Sequence, residues 1–182
     1  MEYIDSYKNY YKGKTCAILG GGTSLPFDMK ELPDVDILIG VNQHSVILPL
    51  DFIVFVDRHM WPYLKDYDAT FITKVEDLED IEDQEVIVHR QIVRPNYSGN
   101  LAIKAADYMG FSKIYVCGVD QYEGHVEGEP VRYWWWEAVQ TAQKRKGRAH
   151  HDNPDELLSF IRSLKRPQNV YFVSGRLKEL HQ

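Results

Sequence analysis

The sequence has little cysteine, no basic excess and no long apolar run, and each shortage removes a class of protein. Two cysteines, Cys16 and Cys117, are all it carries. They are too few for a disulfide framework and have no metal-ligand spacing. Each sits inside an apolar run that reads as a strand, so both are expected to be buried thiols in a reducing, cytoplasmic compartment. Lys and Arg number 21 against 27 Asp and Glu, a net charge of −6. That excludes general binding to a nucleic-acid backbone, but not a small anionic ligand that feels only the local field. The longest near-apolar stretch, Val46 to Val56, is interrupted by Asp51 and is too short to span a bilayer. The first residues, Met1 to Asp5, lack the basic-then-apolar pattern of a secretory signal. There is no internal repeat, low-complexity tract or dividing linker, so residues 1–182 read as one domain. A hydrophobic share of 44% is enough for that domain to bury a core without staples.

What the chain does have is a run that ends in glycine. Cys16 to Leu19 is apolar, and Gly20, Gly21, Gly22, Thr23 and Ser24 follow it. A strand, a glycine turn and a helix start bring backbone N–H groups close to a phosphate. Glycine permits positive φ and a close approach, Thr23 and Ser24 add hydroxyls, and Pro26 suits a first helical turn. The loop is neither GxGxxG, since Leu25 stands at the last Gly position, nor a Walker loop, since no Lys follows. A plain strand-to-helix turn would use the same residues.

Periodicity divides the rest. Residues 1–14 are polar and Tyr-rich and are expected to form a short helix before the sheet. Thr15 to Leu19, Asp36 to Val41, Phe52 to Val56, Ala69 to Thr73, Val86 to His89, Lys113 to Cys117 and Asn169 to Val173 read as strands, mostly apolar throughout. Pro26 to Leu32 reads as a short helical or irregular segment, and Pro62 permits a short helix after it. Residues 76–85 concentrate negative charge and read as a solvated loop or exposed turn. Leu101, Ala105 and Tyr108 give one face of a helix opened at Ser98-Gly99 and stopped by Gly110. Tyr133 to Lys146 reads as a helix after a polar loop. Its Trp134, Trp135 and Trp136 cannot all face one core, so at least one is expected at a cleft, a lid or a homo-oligomer contact. Asn153-Pro154-Asp155 caps a last helix whose stripe is Leu157, Phe160, Ile161 and Leu164.

Strands alternating with helices imply an α/β fold, a Rossmann-like three-layer sandwich with a mainly parallel sheet and helices on both faces. In such sheets ligands bind beyond the carboxyl ends of the strands. Gly20 to Ser24, Asn42, Asp57, Ser98-Gly99 and Asp120 all stand there. Singly, each is an ordinary cap or turn residue.

The ordered set of motifs resembles a Rossmann-like group that contains the family 42 sialyltransferases and the archaeal-type 6-hydroxymethylpterin diphosphokinases. The motifs are Gly20-Gly21-Gly22-Thr23-Ser24-Leu25, the strand ending Gly40-Val41-Asn42, the Ser98-Gly99 helix start and Gly118-Val119-Asp120. The likeness covers Thr15 to Ser174, with Thr23 where proline is usual. Asp57 resembles the diphosphokinase pattern. His150, or its neighbour His151, resembles the sialyltransferase base that precedes the last helix and strand. Tyr122 and Tyr133 match the tyrosines those enzymes set near the leaving phosphate.

The resemblance implies a transferase that uses a nucleotide or nucleotide-sugar donor. In a glycosyl transfer, His150 would take the acceptor's proton and Tyr122 or Tyr133 would bond the departing phosphate. In a pyrophosphokinase reaction, Asp57 and Asp120 would hold Mg²⁺. In both, the glycine loop, Asn42, Ser98, Gly99 and Asp120 would bind the nucleotide. Two alternatives stay open: a non-catalytic nucleotide-binding module, and a relative that acts as an assembly surface through its tryptophans.

Overall fold

In a computed structural model, the structure describes residues 1–42, 48–76, 78–79, 81, 84–90, 97–119 and 154–181. Their strands are β1 (Glu2–Tyr3), β2 (Thr15–Leu19), β3 (Ile37–Val41), β4 (Phe52–Phe55), β5 (Thr70–Thr73), β6 (Val86–Val88), β7 (Lys113–Cys117) and β8 (Val170–Phe172). They form one sheet in the order β1-β6-β5-β4-β3-β2-β7-β8. Every neighbouring pair is parallel. The described helices are α1 (Leu25–Glu31), α2 (Trp61–Leu64), α3 (Ser98–Met109), α4 (Pro154–Arg162) and α5 (Gly175–His181).

Strand pleat assigns the two faces. Cys16, Ile18, Ile39, Phe52, Val54, Ile72, Ile87, Ile114, Val116 and Phe172 point to one core, shared with α3, α4 and Leu177 of α5. Ala17, Leu19, Ile53, Phe55, Phe71, Val86 and Cys117 point to the other, shared with Leu25 of α1 and Trp61 and Leu64 of α2. Helices therefore cover both faces, and the fold is a three-layer α/β sandwich. The uniformly apolar strand sequences follow from that double cover. Burying a side chain such as Phe55 or Phe71, each 0% exposed, contributes about 1.5–3 kcal/mol.

The N-terminal segment differs from the expected helix. It supplies the two-residue strand β1 on the edge of β6, then a 3-10 turn over Ile4–Tyr7. It next straps the end of α3, where helix carbonyls lack partners of their own. The Asn9 N–H donates to the Tyr108 carbonyl at 3.1 Å and the Tyr11 N–H to that of Met109 at 2.9 Å. Tyr11 stacks on Phe111 with ring centroids 4.9 Å apart. The strap, the sheet and α4 together bury α3 on nearly every side. The last described residues form α5, which buries Leu177.

From β2 the chain steps outward through β3, β4, β5 and β6. The α3 crossover then returns it to β7 on the opposite flank of β2, and β8 lies beyond. The direction of progress reverses between β2 and β7. In an open parallel sheet such a reversal opens a crevice at the carboxyl ends.

Candidate functional site

Two backbones cross at this switch point. The Gly20 N–H donates to the Cys117 carbonyl at 2.8 Å, and the Gly22 N–H to the Gly118 carbonyl at 2.7 Å. A Cβ on Gly20 would lie 2.3 Å from the Gly118 oxygen. Gly118 has φ +63°, and a Cβ there would come within 2.9 Å of the Leu25 Cβ. Both positions therefore require glycine. The crossing also uses two of the N–H groups that the sequence offers to a phosphate, those of Gly20 and Gly22. Gly21, Thr23 and Ser24 form the rest of the loop, half-buried to exposed.

Beneath the loop lies a residue that the motif reading passed over. Asp28, on α1, is 2% exposed. Its Oδ2 accepts from the Gly118 N–H at 2.8 Å and from the Ser24 hydroxyl at 2.9 Å. Its Oδ1 accepts from the Ser174 hydroxyl. One carboxylate thus joins the ends of β2, β7 and β8. Its sequence signal was slight: an acid four residues after Ser24, on a short helix.

Asn42 ends β3 in the left-handed region, with φ +54°. Asparagine tolerates that region better than most residues. Its side-chain carbonyl Oδ1 is buried and has no hydrogen-bond partner among the described residues. Asp57 follows the end of β4 and is exposed. Beside it the Val56 N–H donates to the Ser98 hydroxyl at 3.2 Å. Ser98 is 6% exposed, so its side chain braces β4, while the backbone at the start of α3 faces the same edge. At Gly99 a Cβ would meet nothing within 4 Å, so packing among the described residues does not demand glycine there.

Gly20 to Ser24, Asn42, Asp57 and Ser98-Gly99 therefore share the carboxyl edge of the sheet. Asp120, Tyr122, Tyr133, His150 and the Trp134, Trp135 and Trp136 run lie outside the described residues. Among those described, no group of three His, Cys, Asp or Glu could hold a metal ion. Of the Asp57 and Asp120 pair, the structure describes only Asp57.

The thiols stand apart from this chemistry. Burial pushes Cys117 up to about 12, with the neighbouring Asp28 charge adding to it, and burial alone raises Cys16. Both are unbonded to each other and protonated at neutral pH. His89, one residue past β6, is fully buried with its ring 6.3 Å from that of Tyr108. No helix among the described residues is long and apolar enough to cross a membrane.

No family model, curated protein or solved structure matches the chain.

Proposed function

We propose that the carboxyl edge at the β2–β7 switch point binds the phosphate of a nucleotide or nucleotide-sugar, and that the protein transfers the activated group to an acceptor. The observation that carries this reading is the crossing of Gly20 and Gly118 beside Asn42. Glycine there brings two backbones together at the one place where an open parallel sheet forms a crevice. Asn42 offers a buried amide oxygen beside it, able to accept from a base, ribose or acceptor N–H or O–H. The start of α3 adds the positive end of a helix dipole.

Sugar transfer is the preferred chemistry. The acceptor oxygen bonds to the sugar's anomeric carbon as the bond from that carbon to the phosphate oxygen breaks. The nucleotide leaves with the electron pair. By the resemblance, His150 takes the acceptor's proton and Tyr122 or Tyr133 donates to the departing phosphate. A second reading rests on Asp57, an exposed carboxylate at this edge, and is pyrophosphoryl transfer. No step of it is assigned to a metal.

A thermal-shift panel of CMP, a CMP-sugar, a UDP-sugar, ATP and AMP, each with and without Mg²⁺, tests the binding. Ligand at 100 times Kd raises stability by about 2.7 kcal/mol. Gly21→Val is expected to abolish the shift while keeping cooperative melting. Equal binding by wild type and variant overturns the loop assignment. Turnover that survives His150→Ala but vanishes with EDTA or Asp57→Asn replaces sugar transfer by the second reading. Tight binding without turnover of any donor leaves a nucleotide-binding module.

A further inference from the structure

We infer that Asp28 is a positioning residue, which sets the shape of the turn at the switch point without touching the ligand. This rests on the phosphate-binding reading above for one of its readouts and stands independently of it for the other.

Asp28 is a buried carboxylate bonded to three separate chain ends. A buried carboxylate loses its hydration, so its presence needs compensation. Among the described residues its partners are two hydroxyls and one amide, from Ser24, Ser174 and Gly118. All are uncharged, and each belongs to the end of a different strand. Hydrogen bonds to an ionised acceptor are shorter and stronger than neutral ones. Asp28 thus concentrates three such bonds on the three chain ends that enclose the β2–β7 crevice.

The bonds act on the loop in a definite way. The Gly118 N–H points at Asp28, so the Cys117 carbonyl across the same trans peptide points the other way, to the Gly20 N–H at 2.8 Å, and the Gly118 carbonyl then takes the Gly22 N–H at 2.7 Å. Gly118 needs φ +63° to make both contacts. The Ser24 hydroxyl anchors the far end of the same loop. Gly21 is therefore held between Gly20 on Cys117 and Gly22 on Gly118, and Thr23 between Gly22 and Ser24 on Asp28. Ser174 ties in the start of α5, where Gly175 has φ +75°.

The test compares wild type with Asp28→Ala, Asp28→Asn and Ser174→Ala. It reads nucleotide affinity for CMP and ATP, together with amide hydrogen exchange by NMR at a temperature where each variant is folded. Asp28→Ala is expected to weaken binding roughly ten- to hundredfold. It is also expected to speed exchange at Gly22 and Gly118 far more than at the α3 amides. Asp28→Asn keeps one carbonyl acceptor and is expected to recover much of both. Ser174→Ala, which leaves the β2 and β7 contacts in place, is expected to change affinity less than Asp28→Ala.

If wild type binds no nucleotide, the phosphate reading fails, and the exchange readout still decides the positioning role. Selective acceleration at Gly22 and Gly118 supports it. Uniform acceleration across the protein, or none, overturns it, as does wild-type affinity in a folded Asp28→Ala. Should Asp28→Ala fail to fold, Asp28→Asn carries the same comparison.

Discussion

The two edges of the sheet are built by opposite rules. At the amino edge, exposed acids close the backbone. Asp36 precedes β3 and accepts from the Thr15 N–H at 2.8 Å, with Lys14 Nζ 2.9 Å away. Asp51 precedes β4 and accepts from the Leu38 N–H at 2.8 Å. Glu85 precedes β6 and takes the Thr70 and Tyr7 hydroxyls at 3.0 and 2.8 Å. At the carboxyl edge Asp28 is buried beneath the loop while Asp57 stands exposed, glycines cross without side chains, and Asn42 holds an amide oxygen with no described partner. An edge that completes its own hydrogen bonding has little to offer a ligand. Among the described residues, the edge with positive φ at Asn42 and Gly118 pairs its scaffold and leaves the Asn42 amide oxygen without a partner.

That contrast can be broken first at Gly20. A Cβ 2.3 Å from the Gly118 carbonyl oxygen cannot be absorbed by a rotamer change. Gly20→Val should cost about 3 kcal/mol or more in urea denaturation. A loss under about 1 kcal/mol would mean that the two loops separate easily and that the crossing is not a rigid support.

Asn42 sharpens the contrast from the other side. Asn42→Gly keeps the left-handed backbone and removes only the amide. Stability should stay within about 0.5 kcal/mol, while nucleotide affinity falls about tenfold. Calorimetric titration beside a denaturation curve separates the two effects. A large stability loss with unchanged affinity would make Asn42 part of the scaffold.

The smallest effect belongs to the amino edge and to acid. Hydrogen bonds from Lys14 and from the backbone and hydroxyl of Thr15 hold Asp36 down to about 2. A lowered carboxylate contributes stability that is present above its unfolded value of about 3.9 and is lost as pH falls through the folded one. Between about pH 4 and pH 2 the wild type should therefore lose this contribution. Asp36→Asn should flatten that part of the acid unfolding curve and leave nucleotide binding at neutral pH unaltered. A change in affinity would show that the two edges are not independent.

Much of the fold was legible because double-covered strands announce themselves as apolar runs. Phe52 to Phe55 and Ile37 to Val41 could hardly be anything else. The convergence of Gly20, Asn42, Asp57 and Ser98 on one edge follows directly once all strands are parallel. What escaped the sequence depends on partners far along the chain. The N-terminal strap forms because α3 needs acceptors' partners at Tyr108 and Met109, about a hundred residues away. Asp28 looked like an ordinary helix acid because its partners Gly118 and Ser174 are 90 and 146 residues distant. The strand-preceding acids were visible as Asp36, Asp51 and Glu85, yet only the register shows that they close the amino edge. The Ser98 hydroxyl accepts from the Val56 N–H, 42 residues away, a contact that no local pattern shows.

The most direct test of a ligand-binding carboxyl edge is a two-dimensional amide NMR titration with CMP, a CMP-sugar and ATP. Binding at the switch point predicts saturable shifts at Gly21, Thr23, Ser24, Asn42 and Gly99, with Thr15, Leu38 and Phe71 on the amino edge unmoved. Shifts centred on the amino edge, or none with any of the three, would contradict it.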